Sequence, residues 1–240
     1  MNFSSQTQAS QQSYGYSGSL AKNFISNVFS WMGIALSITA VTAYYFGTDA
    51  ELISLLFNEN GMSGLGWVVM FAPFAIILVM NFGFNKLSYS ALVVVFGIYA
   101  ILMGMSLSFI LLMYTASSVF QTFLVTSLMF GVMAVVGYTT KTDLTKFGSL
   151  LMMALIGLII ASVINMFMGS GMMDYIISFV GVLIFTGLTA YDVQKLKRIG
   201  AGIDFPSEHN NKLAIMGALN LYLDFVNLFL FLLRFMGDRK

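Results

Sequence analysis

From Leu87 to Thr140 the chain carries no Asp, Glu, Lys or Arg. So long a run without a charge has no place in a water-exposed fold, and it far exceeds the roughly 20 apolar residues that one helix needs to cross a bilayer core. It must therefore be divided, and "MYTASS" (113–118) offers the break, giving one helix before it and one after. The composition agrees: 58% of residues are hydrophobic, 9% are charged, and mean hydropathy is +0.87. These values lie outside the range of soluble domains and read as an all-α integral membrane protein.

Measuring the other charge-free stretches in the same way gives seven expected spans. The first lies between Lys22 and Asp49, and the second between Glu59 and Lys86, with Pro73 as an expected kink. The third and fourth flank "MYTASS". The fifth runs from about Phe147 to Gly169, the sixth from about Asp174 to Leu196, and the seventh from about Leu213 to Phe235. Ahead of them, residues 1–20 hold no charge and are rich in Ser, Gln, Tyr and Gly, a composition expected to stay disordered. That tail lacks the basic start and apolar core of a cleavable signal peptide, so the first hydrophobic segment is expected to remain as a span. The chain thus divides into a tail, 1–20, and a transmembrane domain, 21–240.

Loop charges set the orientation, because cytoplasmic loops keep Lys and Arg. With the N-terminus inside, Lys22, Lys86, Lys141, Lys146, Lys195, Lys197, Arg198 and Lys212 fall on the cytoplasmic side, while the opposite loops between helices carry Asp49, Glu51, Glu59 and Asp174. Arg234, Arg239 and Lys240 conflict with this pattern. Either the seventh helix crosses and leaves them outside, or it is re-entrant.

Several chemistries are excluded by the residues present. There is no Cys, so disulfides and thiolate metal sites are ruled out, and a net charge of +1 gives no case for nucleic acid. The single histidine, His209, allows neither a His-pair zinc site nor a Ser/His dyad within one chain. No cofactor is expected, and no enzymatic activity. Two intramembrane aspartates do bring to mind the intramembrane aspartyl proteases. Here, however, the tetrapeptide before the second aspartate is "LYLD" rather than GxGD, and the only prolines are Pro73 and Pro206.

Those aspartates are the feature that apolar helices do not explain. Asp192 ends the apolar run of "GVLIFTGLTAYD", and Asp224 lies inside "LNLYLDFVNLFLFLLRF". An unpaired carboxylate in hydrocarbon costs several kcal/mol, so intramembrane acids mark sites of function. Asn220, Asp224 and Asn227 are spaced i, i+4 and i+7, which puts a polar stripe on one helix face, expected to look into the bundle interior or to water. Asp192 also has a plain reading, since Lys195 nearby places it close to the inner interface. Small residues, Gly97, Gly104, Ser106 and Ser108 in the third helix and Gly148, Gly157 and Ser162 in the fifth, are read as packing points.

With these stretches in view the sequence resembles the Bax inhibitor-1 family, in its bacterial branch, over about residues 22–237. The segments "MGMSLSFILLMYT" (103–115), "VVGYTTKTDLTKFGSLLMMALIGLIIASVINMF" (135–167), "LTAYDVQKLK" (188–197) and "LNLYLDFVNLFLFLLR" (219–234) carry the likeness. The resemblance implies two groups of three helices around a central C-terminal helix. It also implies a pH-sensitive calcium leak governed by a hydrogen-bonded pair of buried aspartates, which by motif are Asp192 and Asp224. Some relatives use an arginine of the second helix to compete for the first aspartate. This chain has none between Glu59 and Lys86 and departs from the family there.

The leading expectation is a passive cation leak in the cell membrane, with membrane lipid as surroundings and calcium as the permeant ion. The alternative is an interaction protein that modulates a membrane-bound AAA-type quality-control protease through the tail.

Overall fold

The structure, a computed structural model, describes residues 3–58, 61–203 and 205–240, with the side chains of residues 20–57, 61–203 and 205–240. Glu59, counted above among the loop charges, lies outside the described residues. In chain order the helices are α1 (Phe3–Thr48), α2 (Ala50–Leu56), α3 (Gly64–Gly83), α4 (Tyr89–Met113), α5 (Ala116–Thr139), α6 (Thr145–Met168), α7 (Gly171–Ala201) and α8 (Glu208–Met236). A two-residue hairpin pairs Phe57 with Met62 between α2 and α3. All the helices but α2 are long and apolar enough to span, with α1 counted from Leu20, which makes seven spans.

The helices begin where the sequence provides caps. Ser63, Ser88, Thr115, Ser170 and Ser207 each accept a backbone N–H of the first turn that follows, so chain turns in and near the membrane leave few amides unmet. The break at "MYTASS" is such a turn: α4 stops at Met113 and Thr115 caps α5. At Gly169, φ of +64° closes α6 in the left-handed region that glycine adopts without steric penalty. Pro73 is buried inside α3.

The backbone of α1 runs from Phe3 into the span. Helix initiation is the costly step, and it is already met by the span. A Ser-, Gln- and Ala-containing segment free of proline then extends it one hydrogen bond at a time.

Two helices form the centre. In α7 and α8, 61% of the most apolar window is buried, against 17–28% in the other spans. α8 packs on α1, α4, α5 and α7. Around it α1 and α3 pack on α4, while α5 and α6 pack on α7, giving two groups of three. One side of α8 has no helix against it: Met216, Leu223 and Asn227 are partly exposed and Asn220 is exposed.

Contacts between helix ends sort the loops onto two faces. On one, Gly200 of α7 meets Ala21 and Phe24 of α1, Glu208 accepts from Tyr89 N, and Arg198 pairs with Asp143. On the other, Arg234 pairs with Asp174 at 3.4 Å and the C-terminal residues lie along the α4–α5 turn, with Lys240 N donating to Met113 O. α8 is thus continuous from one face to the other, which removes the re-entrant alternative. The basic residues at its end are engaged: Lys240 Nζ donates to Leu111 O at 2.7 Å, and Arg239 lies over the Tyr114 ring. A cation on the last carbonyls of α4 is the favourable end of that helix dipole.

A topology measurement follows from this sorting. A reporter in the 139–147 or 197–212 loop is expected to read cytoplasmic, and one in the 48–60 loop or at the C-terminus external. An external signal from the 197–212 loop would contradict the orientation.

Candidate functional site

Asp192 lies on α7 and Asp224 on α8, and the crossing of these two central helices brings their carboxyl groups into hydrogen-bonding contact. Asp224 is 5% exposed, and its Oδ2 receives no hydrogen bond from any amide or hydroxyl among the described residues. Asp192 is only partly buried, with exposed Lys195 one turn further along α7. Two carboxylates in contact repel, whereas a carboxyl donates a hydrogen bond to its neighbour, so the contact is favourable while at least one proton stays on the pair. A pair that keeps at least one proton can link the two innermost helices, and a pair that has lost both cannot.

What presses α7 into this position is the absence of side chains on its neighbours. A Cβ on Gly137 of α5 would stand 2.2 Å from Ala190 O and 2.8 Å from Ala190 Cα. On the other side a Cβ on Gly148 of α6 would stand 2.4 Å from the Tyr191 ring. α5 and α6 thus grip the two residues just before Asp192, which fixes the direction of its side chain. On the far side of α8 the Tyr222 hydroxyl fixes the helix from the other group. Thr39 Oγ1 donates to Ala100 O at 2.9 Å, so Tyr222, 2.7 Å away, is the donor to Thr39.

The expected polar stripe is only partly realised. Asn220 is exposed, and Asn227 Nδ2 donates to Leu223 O of its own helix at 2.8 Å. Neither asparagine hydrogen-bonds an aspartate. Positions i and i+4 differ by about 40° around a helix, enough to turn Asn220 towards the unpacked side of α8 while Asp224 faces α7. Among the small residues, Gly104 and Gly148 are close-packed and Ser106 donates to Val69 O of α3, but Gly97 and Gly157 have nothing within 4 Å of a built Cβ.

A second cluster, next to the first, has no counterpart in the sequence reading. Gln194 Nε2 donates to Thr142 O at 2.8 Å, Leu144 N donates to Gln194 Oε1 at 2.9 Å, and Arg198 reaches Thr145 Oγ1, Asp143 and Gln194 Oε1. This clamp holds the α5–α6 loop to α7 within two residues of Asp192 and supplies the start of α6, whose own N-cap Leu144 has no side-chain acceptor. Its one visible signal was a run of hydrogen-bonding residues, "TTKTDLT" (139–145), in an otherwise apolar sequence.

Hydrogen bonds from the Thr145 hydroxyl and from Arg198 hold the Asp143 carboxyl well below the usual carboxylate range. Such a depressed group contributes above its unfolded value, about pH 3.9, and its contribution is lost only as pH falls through the lower folded value. The clamp is therefore expected to stay closed from pH 7 to pH 5. Hydrogen exchange in residues 140–145, corrected for intrinsic rates, should be level over that range and faster in Arg198→Gln. A rise in the wild type between pH 7 and 5 would contradict this assignment.

With this geometry established, comparison with known proteins places the chain. The family model described as "Inhibitor of apoptosis-promoting Bax1" matches residues 21–240. The chain belongs to the Bax inhibitor-1 family. Among its relatives in that family, the inner membrane protein YbhL of Escherichia coli K12 is 43% identical, over 91% of this chain and 93% of its own. An uncharacterized protein of Borreliella burgdorferi is also 43% identical, over 92% and 94%. An uncharacterized membrane protein of Streptococcus pyogenes is 36% identical over 89% and 92%. The Bax inhibitor-1 match starts at Ala21, so the N-terminal tail lies outside it while both aspartates, the glycine grip and the Arg198 clamp lie within.

Proposed function

We propose that this multi-pass membrane protein is a passive, pH-sensitive leak for cations, calcium foremost, in a bacterial cytoplasmic membrane, with Asp192 and Asp224 as its latch. The observation that carries the reading is the carboxyl contact between α7 and α8. When the shared proton leaves, the cross-link becomes a repulsion, and the two central helices gain a reason to adopt a second packing. The freed carboxylates are then hard oxygen ligands suited to calcium. Among the described residues no third acidic or histidine side chain joins them to make a metal cage, and a permeant ion needs a site weak enough to leave. Asn220 and Asn227 flank Asp224 in sequence but lie on the unpacked side of α8, so they add polar surface there and not to the carboxyl contact itself. The E. coli relative's description as an inner membrane protein supports the membrane assigned here.

The test is calcium entry into liposomes holding the purified full-length chain, followed across a pH series. Flux above that of protein-free liposomes and dependent on pH is expected; flux equal to the empty control at every pH would overturn the proposal.

A second reading, a membrane partner of an AAA-type quality-control protease, draws support from the continuation of α1 to Phe3, an extended segment on the face where α8 begins. Deletion of residues 1–20 separates the two. The leak is expected to survive it with its pH profile intact, whereas co-purification of a protease that is lost on deletion would favour the interaction reading.

A further inference from the structure

On the face where α8 begins, the α3–α4 turn and the first turn of α8 border an open polar depression of about 370 Å³ that the aspartate pair does not involve. Lys86, His209 and Lys212 line it together with Asn85, Ser88 and Glu208. Glu208, its one acid, is engaged: Oε1 accepts Tyr89 N at the start of α4 at 3.0 Å. Lys212 is fixed by the Phe84 ring, 5.0 Å beneath its Nζ, and His209 meets the same ring edge-on at 5.6 Å. Exposed Lys86 and partly exposed Lys212 thus stand on the rim of this depression.

The surroundings indicate what fills it. Phe82, at the end of α3, is 83% exposed, and Phe205, in the loop before α8, is 68% exposed. Phe205 is tied to the pocket wall, since Asn210, the residue after His209, donates to Phe205 O at 2.8 Å. Two large aromatics left outside the core, one at the end of α3 and one in the loop before α8, match a membrane interface, where rings sit among headgroups and acyl chains. Basic pockets between helices at that level take anionic lipid headgroups.

We propose that this pocket binds the phosphate of an anionic phospholipid, with Lys86, His209 and Lys212 around the headgroup and Phe82 and Phe205 against its chains. The same phosphate chemistry would suit a soluble anion, but exposed phenylalanines serve only the lipid.

The experiment uses the full-length protein and native mass spectrometry after exposure to mixed phosphatidylglycerol and phosphatidylcholine. Wild type is expected to retain phosphatidylglycerol about tenfold over phosphatidylcholine, and the Lys86→Gln/Lys212→Gln variant to fall close to parity. A Lys22→Gln/Lys141→Gln variant, which removes two charges from the same face outside the pocket, should keep the preference. No preference in wild type, no loss in the pocket variant or an equal loss in the control would overturn the proposal. Inorganic phosphate at millimolar concentration is expected not to displace the lipid; displacement would make the ligand a soluble anion and overturn the lipid assignment. Because a variant can misfold, wild type is also photolabelled with a phosphatidylglycerol carrying a headgroup diazirine. Adducts are expected on peptides spanning 82–90 and 205–213, and adducts confined to other segments would equally overturn the site.

Discussion

Asp192→Asn and Asp224→Asn are each expected to flatten the pH dependence of calcium flux in liposomes, whatever the absolute flux becomes. Asparagine keeps the shape of aspartate and supplies a permanent N–H donor, so the bond across α7 and α8 persists without a shared proton. On the proposed reading the wild-type bond lasts while at least one proton stays on the pair, and a pair in contact titrates as a unit. Removing either carboxyl removes the unit. Asp174→Asn is the matched control, because Asp174 pairs with Arg234 at the opposite face and has no contact with the latch. Its variant should retain the wild-type midpoint. Should both latch variants keep a wild-type pH profile while Asp174→Asn does the same, the aspartates would be structural polar groups, and the leak would need another sensor.

The second large effect concerns the glycines that seat α7. Gly137→Ala places a methyl 2.2 Å from Ala190 O, and the obstacle is backbone, which cannot rotate away. Helices α5 and α7 must separate. Overpacking of this kind typically costs about 1–3 kcal/mol, and in a bilayer no gain in hydrophobic burial offsets it, since lipid is as apolar as the helix surface. A fall in thermal unfolding temperature in detergent is expected for Gly137→Ala. For Gly157→Ala, where nothing lies within 4 Å, the change is neutral or favourable, because alanine is a better helix former by about 1 kcal/mol. Equal behaviour of the two variants would contradict the grip assigned to Gly137. Since Ala190 is two residues from Asp192, the Gly137 variant should also shift the pH midpoint of flux, which Gly157→Ala leaves in place.

The spans, their number and their order were legible in the sequence because they follow from a local quantity. Each helix satisfies its own backbone, so a charge-free stretch of sufficient length is enough to place it, and "MYTASS" and Gly169 mark ends through turn chemistry that neighbouring residues dictate. Asp192 and Asp224 were legible as anomalies for the same reason: a carboxyl in an apolar run is out of place whatever surrounds it. What lay beyond the sequence is everything fixed by how helices cross. The contact of the two carboxyls needed the resemblance to suggest it, because no spacing within α7 or α8 determines which residues of the two meet. The outward turn of Asn220 depends on which side of α8 is left without a neighbour. Gly137 and Gly157 are alike as residues and as helix positions. One abuts a backbone and the other meets nothing, and only the approach of α7 to α5 distinguishes them. The re-entrant alternative for α8 failed on contacts of Arg234, Arg239 and Lys240 that join residues far apart in the chain. Hydrophobicity and backbone hydrogen bonding act within a segment and can be read along it, whereas close packing in lipid depends on steric fit between segments, and that fit exists only once they have met.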